Sequence, residues 1–331
     1  MTEDLLRVEG LTVWFGGVPA IEDVSFTLHP GETLAIVGES SSGKSVTALA
    51  LMRLLGDRRT CSVMGRALLR GPDGRQADLL ALPERAMADL RGPALGMIFQ
   101  EPMSSLNPVH AVGDQISESL IRHERLSGRA AAARAVELLA EVGIPEPARR
   151  ASAYPHQLSG GMRQRAMIAI ALACRPRILI ADEPTTALDV TIQAQILDLL
   201  RRLQRETGMS VIFITHNLGV VAEIADRVVV MYAGQVVEDA PVAALLDQPM
   251  MPYTAGLIRS VPRLDAALEA GRRLVAIPGN VPDPRRRPAG CSFHPRCGHA
   301  RPDPCQRARP ALEWAAPEHR VRCARWREIA A

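Results

Sequence analysis

The sequence predicts an α/β fold with a largely parallel sheet, an inserted helical block and a C-terminal extension of different composition. Short apolar runs alternate with helical patterns along most of the 331 residues, and such alternation is typical of a parallel sheet covered by helices. A glycine-containing loop stands between a strand pattern and a helix pattern. Beyond about Leu274, proline, arginine and cysteine dominate, and we find no strand or helix period of useful length there.

The N-terminal part of the core predicts strands, a loop and a helix. Strands are predicted at Leu11–Phe15 and Val24–Leu28, with a turn at Gly16-Gly17 between them. Leu34–Val37 is wholly apolar, which favours a buried strand. The pattern from Lys44 to Leu55 predicts a helix.

The rest of the core alternates in the same way. Residues 112 to about 174 predict a helical block with a proline-rich break at 144–147, and Ile192–Glu206 predicts an amphipathic helix. The further predicted strands are Ala94–Phe99, Ile178–Ala181, Val211–Ile214, Val228–Tyr232 and Val236–Val237.

Composition limits the classes of function. No apolar run reaches the roughly 18 residues of a membrane span, and the first residues lack the pattern of a signal peptide. We therefore expect a cytosolic protein whose membrane role would come through partners. Residues 285–331 carry eleven arginines against four acids, a charge of +7 that leaves −4 for the rest of the chain. This basic segment could meet an anionic surface or form a solvated basic face.

One basic residue differs from all the others. Of 39 basic residues, 38 are arginine and Lys44 alone is lysine. In a chain that uses arginine for surface charge, a lysine is expected where a compact ammonium is required and a planar guanidinium does not fit.

Lys44 lies in a phosphate-binding pattern. The run matches G-x-x-x-x-G-K-S, with a strand before it and a helix after it. Backbone N–H groups would face phosphates, Lys44 would neutralise the β- and γ-phosphates, and the Ser45 hydroxyl would ligate Mg²⁺. The predicted nucleotide-binding residues here are Gly38, Glu39, Ser40, Ser41, Ser42, Gly43, Lys44, Ser45 and Val46.

Two adjacent carboxylates end the apolar run at Ile178–Ala181. Asp182 and Glu183 would be costly beside a buried strand unless a cation or a proton transfer requires them. We assign Asp182 to Mg²⁺ and Glu183 to polarising the attacking water. A solvated acidic turn is the alternative interpretation.

A third element decides the family. Ser159, Gly160 and Gly161 open a helix and predict a second anion-binding nest. The order of the three elements resembles the nucleotide-binding subunits of ABC transporters, over at least residues 5–260. The resemblance implies a P-loop ABC ATPase core with an inserted helical subdomain at about 112–174, followed by a Cys/Arg/Pro-rich C-terminal appendage.

The resemblance also implies roles for single residues. Gln100 matches the glutamine that senses Mg²⁺ and contacts the transmembrane partner, and His216 matches the switch histidine at the γ-phosphate. Ala187-Leu188-Asp189 matches the loop that crosses the dimer interface, and Phe15 stands where the family stacks an aromatic ring on adenine. Two positions depart from the pattern, because Ser41 replaces a usual glycine and Met162 a frequent glutamine.

The family binds ATP between two subunits, so the resemblance implies a dimer in which Ser159 of one subunit completes the site of the other. The motifs Gln100–Val109, Pro252–Thr254, Ile277–Gly279 and Gly290–Cys297 resemble the oligopeptide/dipeptide and nickel importers in particular. That class implies an ATPase domain at 1–260 and a linker with C-terminal extension at 261–331.

The implied partners are a second ABC ATPase subunit (heterodimer or homodimer), two transmembrane permeases and an extracytoplasmic substrate-binding protein, at the cytoplasmic face of the membrane. Nickel or another small solute is the alternative cargo. A soluble ABC ATPase that binds nucleic acid is a competing class, but the segment after Gln100 fits a transporter contact, so we expect no nucleic acid. Translation-linked ABC proteins carry two cassettes, whereas this chain has one phosphate loop.

The cysteines predict a metal centre in the extension. Cys61 and Cys174 stand alone and are interpreted as small fillers, whereas Cys291, Cys297, Cys305 and Cys323 follow the spacing C-x5-C-x7-C-x17-C. Cytosolic disulfides are rare, so clustered cysteines indicate metal. The spacing lacks the close pairs of zinc sites, and some members of the resembling family bind a 4Fe-4S cluster, which favours iron over zinc. His294, His299 and His319 are reserve zinc ligands, and four free thiols are the alternative.

Overall fold

The computed structural model describes residues 3–56, 59–101, 105–186, 189–261 and 276–329. The chain divides into two compact units. Unit 1 comprises Met1–Ala81 and Thr215–Ala331, and unit 2 comprises Leu82–Ile214. Each unit is described by itself.

In chain order the strands are β1 (Leu6–Phe15), β2 (Val18–Leu28), β3 (Thr33–Val37), β4 (Cys61–Arg70), β5 (Gln76–Asp78), β6 (Leu95–Ile98), β7 (Ile178–Asp182), β8 (Ser210–Thr215), β9 (Arg227–Tyr232), β10 (Gln235–Pro241), β11 (Glu313–Ala316) and β12 (His319–Val321). The helices are α1 (Lys44–Leu51), α2 (Glu84–Leu90), α3 (Val112–Glu124), α4 (Gly128–Glu141), α5 (Pro147–Ala151), α6 (Gly160–Leu172), α7 (Val190–Thr207), α8 (Leu218–Ile224), α9 (Val242–Asp247), α10 (Pro252–Ser260) and α11 (Trp326–Ile329). Every one of these helices is too short or too polar to cross a bilayer.

Unit 1 contains an antiparallel sheet in the order β2-β1-β4-β5. Strands β1 and β2 form a hairpin whose register pairs Leu6 with Leu28 and Phe15 with Val18. Gly16 and Gly17 connect them with φ angles of 54° and 81°, which only glycine adopts without strain and which match the twist of a tight hairpin. The predicted hairpin is therefore confirmed.

Unit 1 also holds the strand series β11-β12-β10-β9-β3. Strand β3 runs parallel to β9, with Leu34 opposite Arg227. Strand β10 pairs antiparallel with β9 and also with β12, where Glu238 stands opposite Val321. The buried core beside these strands is apolar and includes three aromatic rings, those of Tyr232, Tyr253 and Phe293.

Unit 2 contains three parallel strands in the order β8-β7-β6. All five residues of β7 are buried, as expected for a strand covered on both faces. The predicted helical block consists of α3, α4, α5 and α6, and α5 begins at Pro147 within the predicted proline-rich break. The helical block is confirmed as local structure and the strands of unit 2 are parallel as predicted, but most strand pairs of unit 1 are antiparallel, so the sheets of the chain are mixed rather than largely parallel.

The structure differs from the sequence expectation at several points, of which three are described here. Helix α1 ends at Leu51 and not at Leu55, because Arg53 has a positive φ of 51° that no helix continues through. Strand β4 was not predicted, since residues 62–66 are exposed and show no alternation. Short strands β11 and β12 occur in the extension, where no period was visible.

The described part of the extension, residues 276–329, is called the C-terminal module below. Its arginines are not simply a solvated basic face, because several bond acids of the core strands and loops. Arg287 pairs with Glu22 at 2.8 Å, and Arg322 pairs with Asp23 at 3.1 Å. Arg320 bonds Asp239. The change in composition at Leu274 lies outside the described residues.

Candidate nucleotide site

The loop after β3 has a backbone that requires glycine at both ends. Gly38 and Gly43 have φ angles of 153° and 101°. A Cβ at Gly38 would clash with the carbonyl oxygen of Met231, and one at Gly43 would clash with the side chain of Ile21. Gly38 is therefore required by a close approach of backbone, and Gly43 by its positive φ angle and the neighbouring Ile21 side chain.

Lys44 lies inside this loop. Its side chain is buried, and Nζ donates hydrogen bonds to the carbonyl oxygens of Gly38 at 2.8 Å and Glu39 at 3.1 Å. A compact ammonium held on carbonyl oxygens can transfer those bonds to phosphate oxygens. This is the position that the single lysine of the chain was predicted to occupy.

The N-terminus of α1 presents backbone amides without a competing acceptor from its own cap. The N-cap residue is Gly43, which has no side chain, and the first turn, which includes Ser45 and Val46, contains no acid. The Ser42 hydroxyl is buried and has no hydrogen-bond partner among the described residues. A helix start without a side-chain cap and an unpaired buried hydroxyl fit a loop that receives phosphate.

Ser41 adopts the conformation that the sequence left in question. Its φ angle is 64°, in the left-handed region. The cost for a residue other than glycine is about 1 kcal/mol. Ser40 and Ser41 are both exposed.

Two further predicted residues belong to unit 1. Phe15 ends β1 with 38% of its surface exposed, as a ring that stacks on a ligand would require. His216 is exposed and directly follows the buried Thr215, the last residue of β8. The next residue, Asn217, caps α8 with its side chain. Their roles at adenine and at the γ-phosphate stay predictions.

In unit 2 the acidic pair stands at the end of β7. Asp182 is the last residue of that strand and is 4% exposed. Glu183 has a φ angle of 47°, and its N–H donates to the Ile214 carbonyl oxygen at 2.9 Å. A strained backbone at a carboxylate is typical of functional sites.

The Glu183 carboxylate accepts bonds from two neighbours. Thr186 Oγ1 donates to Oε2 at 2.8 Å, and Gln100 Nε2 lies 3.4 Å from the same oxygen. The structure therefore brings Gln100 and Glu183 together, and their roles in catalysis stay predictions. Sequence reasoning missed Thr186, and it missed Gln164, whose buried amide donates to the Pro184 carbonyl oxygen at 2.5 Å.

The remaining predicted residues of unit 2 lie at helix starts, where Ser159 and Asp189 are N-caps. The Ser159 hydroxyl accepts from Met162 N–H at 3.3 Å and opens α6, and a Cβ at Gly160 would meet open space. Asp189 caps α7 by accepting from Ile192 N–H at 3.0 Å. Gly161 lies in the first turn of α6. Ala187 and Leu188 lie outside the described residues, as do residues 102–104 of the segment after Gln100.

The four cysteines of the C-terminal module line one small cavity, together with His294 and His299. None of them is in a disulfide. Burial raises the pKa of the Cys291 and Cys297 thiols, and it raises that of Cys323 to about 11.

The described residues contain no group of three or more His, Cys, Asp or Glu side chains placed to hold a metal ion. The predicted metal centre is thus not supported as a formed single-ion site. His319 is unsuited as a reserve ligand, because its Nε2 bonds the buried Glu238 at 2.8 Å. Cys61 and Cys174 are buried apart from this cavity, as predicted for fillers.

Comparison with known proteins identifies the family. Residues 21–186 match the family described as ABC transporter, and residues 237–305 match the one described as oligopeptide/dipeptide transporter, C-terminal region. The chain belongs to the ABC transporter family. The resemblance stated from the sequence is therefore confirmed, and the chain is an ATPase of this family.

Two relatives illustrate how far the likeness extends. A Brucella abortus (strain 2308) protein named as a peptide import ATP-binding protein is 55% identical over 336 residues, covering 99% of each chain. A second protein of that strain with the same kind of name is 51% identical over 315 residues, covering 94% of this chain and 92% of the relative.

Solved structures agree with the ABC ATPase fold. A dimeric ATP-binding cassette bound to ADP and Pi in a post-hydrolysis state aligns with a TM-score of 0.62 and 29% identity, over 72% of this chain and 98% of that chain. The cbiO1 protein of Clostridium perfringens, part of an ABC transporter complex, aligns with a TM-score of 0.62 and 28% identity, over 74% and 92%.

Proposed function

We propose that this ABC ATPase powers the import of dipeptides and oligopeptides through partner permeases. The observation that carries the proposal is the identity of 55% across 99% of both chains with a relative named for peptide import. The match of residues 237–305 to the oligopeptide/dipeptide transporter C-terminal region supports the same cargo.

The ATP site is divided into roles by chemistry. Lys44 and the amides from Gly38 to Val46 hold the phosphates, and Phe15 stacks on adenine. Ser45, Asp182 and Gln100 supply the oxygen ligands that Mg²⁺ prefers. Bound ATP with Mg²⁺ supplies the γ-phosphoryl group for transfer to water. Glu183 orients that water and accepts its proton, while Thr186 holds the carboxylate, and His216 contacts the γ-phosphate.

Glu183→Gln tests the hydrolytic role. The amide keeps the shape of the side chain but cannot accept a proton, so steady-state turnover should fall at least about 100-fold while ATP binding persists. Turnover and equilibrium ATP binding are measured on the same preparation. Thr186→Val, which removes the bond that holds the carboxylate, should lower turnover less. Wild-type hydrolysis in the glutamine variant would remove Glu183 from the mechanism.

The working unit is a dimer with composite sites, in which Ser159, Gly160, Gly161 and Asp189 of one subunit complete the phosphate loop of the other. The dimeric ADP-bound cassette supports this arrangement. If the chain pairs with itself, mixing a Ser159→Arg variant with a Lys44→Ala variant restores one intact site. Partial recovery of ATPase activity is expected, and inactivity of the mixture beside an active wild-type homodimer would contradict independent composite sites.

The complex comprises a second ABC ATPase subunit in a heterodimer, two permeases and an extracytoplasmic substrate-binding protein. It stands at the cytoplasmic face of the membrane. Residues 1–260 form the ATPase domain with the helical subdomain at about 112–174, and residues 261–331 form the linker and extension.

Isolation of the intact complex tests the cargo. A tagged chain is purified from membranes, its partners are identified, and the ATPase activity of the reconstituted complex is measured with peptides and with Ni²⁺. Stimulation by peptides supports the proposal. Stimulation by Ni²⁺ alone would replace it with the nickel alternative, and salt-sensitive nucleic-acid binding without permeases would replace the transport role itself.

We also propose that Cys291, Cys297, Cys305 and Cys323 ligate a 4Fe-4S cluster, with Zn²⁺ as the alternative. The supporting observation is that all four line one cavity, although they are far apart in sequence. The module has few apolar residues, so a bound centre would stabilise it.

Anaerobic purification tests this site by absorption spectrum and by iron and zinc content. Cys305→Ser should lose the iron and the colour, whereas Cys174→Ala, a buried thiol outside the cavity, should keep both. A colourless wild-type protein with one zinc would select the alternative, and a metal-free protein would end the proposal.

A further inference from the structure

The C-terminal module touches the phosphate loop through one ion pair. Arg296 Nη1 and Nη2 donate to the two carboxylate oxygens of Glu39 at 2.6 and 2.9 Å. The Arg296 side chain is 4% exposed and that of Glu39 is 29% exposed. Two parallel bonds between a guanidinium and a carboxylate define both position and orientation.

The guanidinium is itself fixed from the other side. Arg296 Nε donates to the Pro278 carbonyl oxygen at 2.9 Å. The group lies 5.7 Å from the Tyr232 ring centroid and 6.0 Å from that of Phe293. Because Tyr232, Tyr253 and Phe293 pack against one another with centroids 4.6 to 5.4 Å apart, this aromatic cluster is a rigid support.

Glu39 also bonds Lys44 through its backbone, as Gly38 does. Its N–H donates to Tyr253 Oη at 2.9 Å, and its carbonyl oxygen accepts from Lys44 Nζ at 3.1 Å and from Ser42 N–H at 3.2 Å. The side chain, the N–H and the carbonyl of Glu39 are therefore all engaged. A change in the carboxylate's position would move the carbonyl that holds the lysine.

The charge of Glu39 gives the pair a second consequence. A carboxylate in a loop that receives phosphates repels them, and the repulsion is strong where water is excluded. Arg296 neutralises both carboxylate oxygens. Without it, the Glu39 carboxylate would lose its cationic partner and leave a negative charge on the loop.

We propose that Arg296 is a positioning residue for nucleotide binding, through which the C-terminal module sets the geometry and the charge of the phosphate loop. This inference rests on the proposed role of the loop as the ATP site. The competing explanation is a purely mechanical anchor, in which Arg296 holds the module on the core and does not affect the loop.

A double-mutant cycle separates the two explanations. Arg296→Met, Glu39→Gln and the double variant are compared with wild type by equilibrium ATP binding and by thermal unfolding. Arg296→Met should weaken ATP binding about tenfold, the scale on which loss of a supporting partner affects other ligand sites. Glu39→Gln should change affinity less, and in the double variant it should restore most of the lost affinity, because the uncompensated charge is gone.

Arg322→Lys is the matched control. Arg322 is also a buried arginine of the module, and it bonds Asp23 and the carbonyl oxygens of Val236 and Pro310. Its bonds do not involve the phosphate loop. The control should lower the unfolding temperature and leave ATP affinity as in wild type, whereas Arg296→Met should raise KM for ATP with little change in kcat.

Each outcome has one meaning. Wild-type affinity in Arg296→Met, or no recovery in the double variant, would overturn the inference and leave the ATP site intact. Failure of the wild-type chain to bind ATP would instead end the proposed function. If Arg296→Met does not fold, Arg296→Lys replaces it in the cycle. That variant keeps the positive charge but cannot make the two parallel bonds of the guanidinium, so it should weaken ATP binding about threefold.

Discussion

The phosphate loop and the C-terminal module belong to the same unit but fix the chain in opposite ways. The loop uses backbone: two glycines in close contact and the ammonium of Lys44 on carbonyl oxygens. The module uses long side chains, and arginines such as Arg287 and Arg322 reach acids of the core. The chain has 38 arginines and one lysine, and the two types of cation have different roles in these two regions. The branched guanidinium of these arginines bonds separate segments of the chain, whereas the compact ammonium of Lys44 binds inside a loop.

The largest effect on ATP affinity is expected when the lysine of the phosphate loop is replaced by arginine. Lys44→Arg puts a planar guanidinium into a buried cradle of carbonyl oxygens, so ATP affinity should fall about 100-fold or more, close to the loss in Lys44→Ala. Equilibrium titration with ATP measures both variants. An arginine variant that binds nearly as well as wild type would remove the distinction between the two cations.

The reverse substitution, arginine to lysine in the C-terminal module, should lower the stability of the fold and leave ATP binding unchanged. In Arg322→Lys a single ammonium nitrogen cannot reach the three separate acceptors that Nε, Nη1 and Nη2 of the guanidinium bond, and the buried carbonyl oxygen of Val236 loses the bond from Nε. We expect a loss of about 1–3 kcal/mol in the free energy of unfolding. Urea denaturation measures this free energy. A value equal to that of wild type would show that the several bonds of the guanidinium are not needed to hold the module.

A smaller effect is expected from backbone strain in the loop. Ser41→Gly removes a cost of about 1 kcal/mol for the positive φ angle but makes the unfolded chain more flexible by about 0.4–1 kcal/mol, so the net gain in stability should be at most about 0.6 kcal/mol. Urea denaturation without nucleotide measures it. Ser40→Gly is the matched control and should be neutral or destabilising, because Ser40 does not have a positive φ angle. A destabilised Ser41→Gly variant would mean that the hydroxyl contributes more than the strain costs.

The smallest effect is expected at an exposed pair of the same module. Arg307 and Asp303 lie 2.9 Å apart with side chains 78% and 61% exposed. Arg307→Lys should change the free energy of unfolding by less than about 0.5 kcal/mol. A larger loss would show that the module depends on its solvated charges as well as on those that reach the core.

The sequence predicts best what depends on short-range pattern. The apolar run at Ile178–Ala181 locates β7 and delivers Asp182, and the glycine spacing locates the loop around Lys44. Long-range pairing leaves no such pattern. Arg296 and Glu39 are separated by 257 positions, and a local reading of the arginine-rich segment therefore suggested a free basic surface.

The backbone conformation of single residues could also not be predicted from the sequence. Nothing next to Glu183 in the sequence indicates its positive φ angle, or that its N–H donates to the Ile214 carbonyl oxygen of the neighbouring strand. Strands β11 and β12 are short and follow no alternation, and β12 is a strand because β10 offers it an edge. Tertiary context determines such elements.

The discontinuity of unit 1 has a kinetic consequence. Strands β3 and β9 join Leu34 to Arg227, so their pairing must close a loop that contains all of the continuous unit 2. Closing a long loop costs more chain entropy than closing a short one, so contacts between residues that are distant in sequence form slowly and contacts between residues near in sequence form first. Refolding from denaturant should therefore bring the helices of residues 112–172 back early. The environment of Tyr232, at the end of β9, should recover last, and ATP binding should return with it.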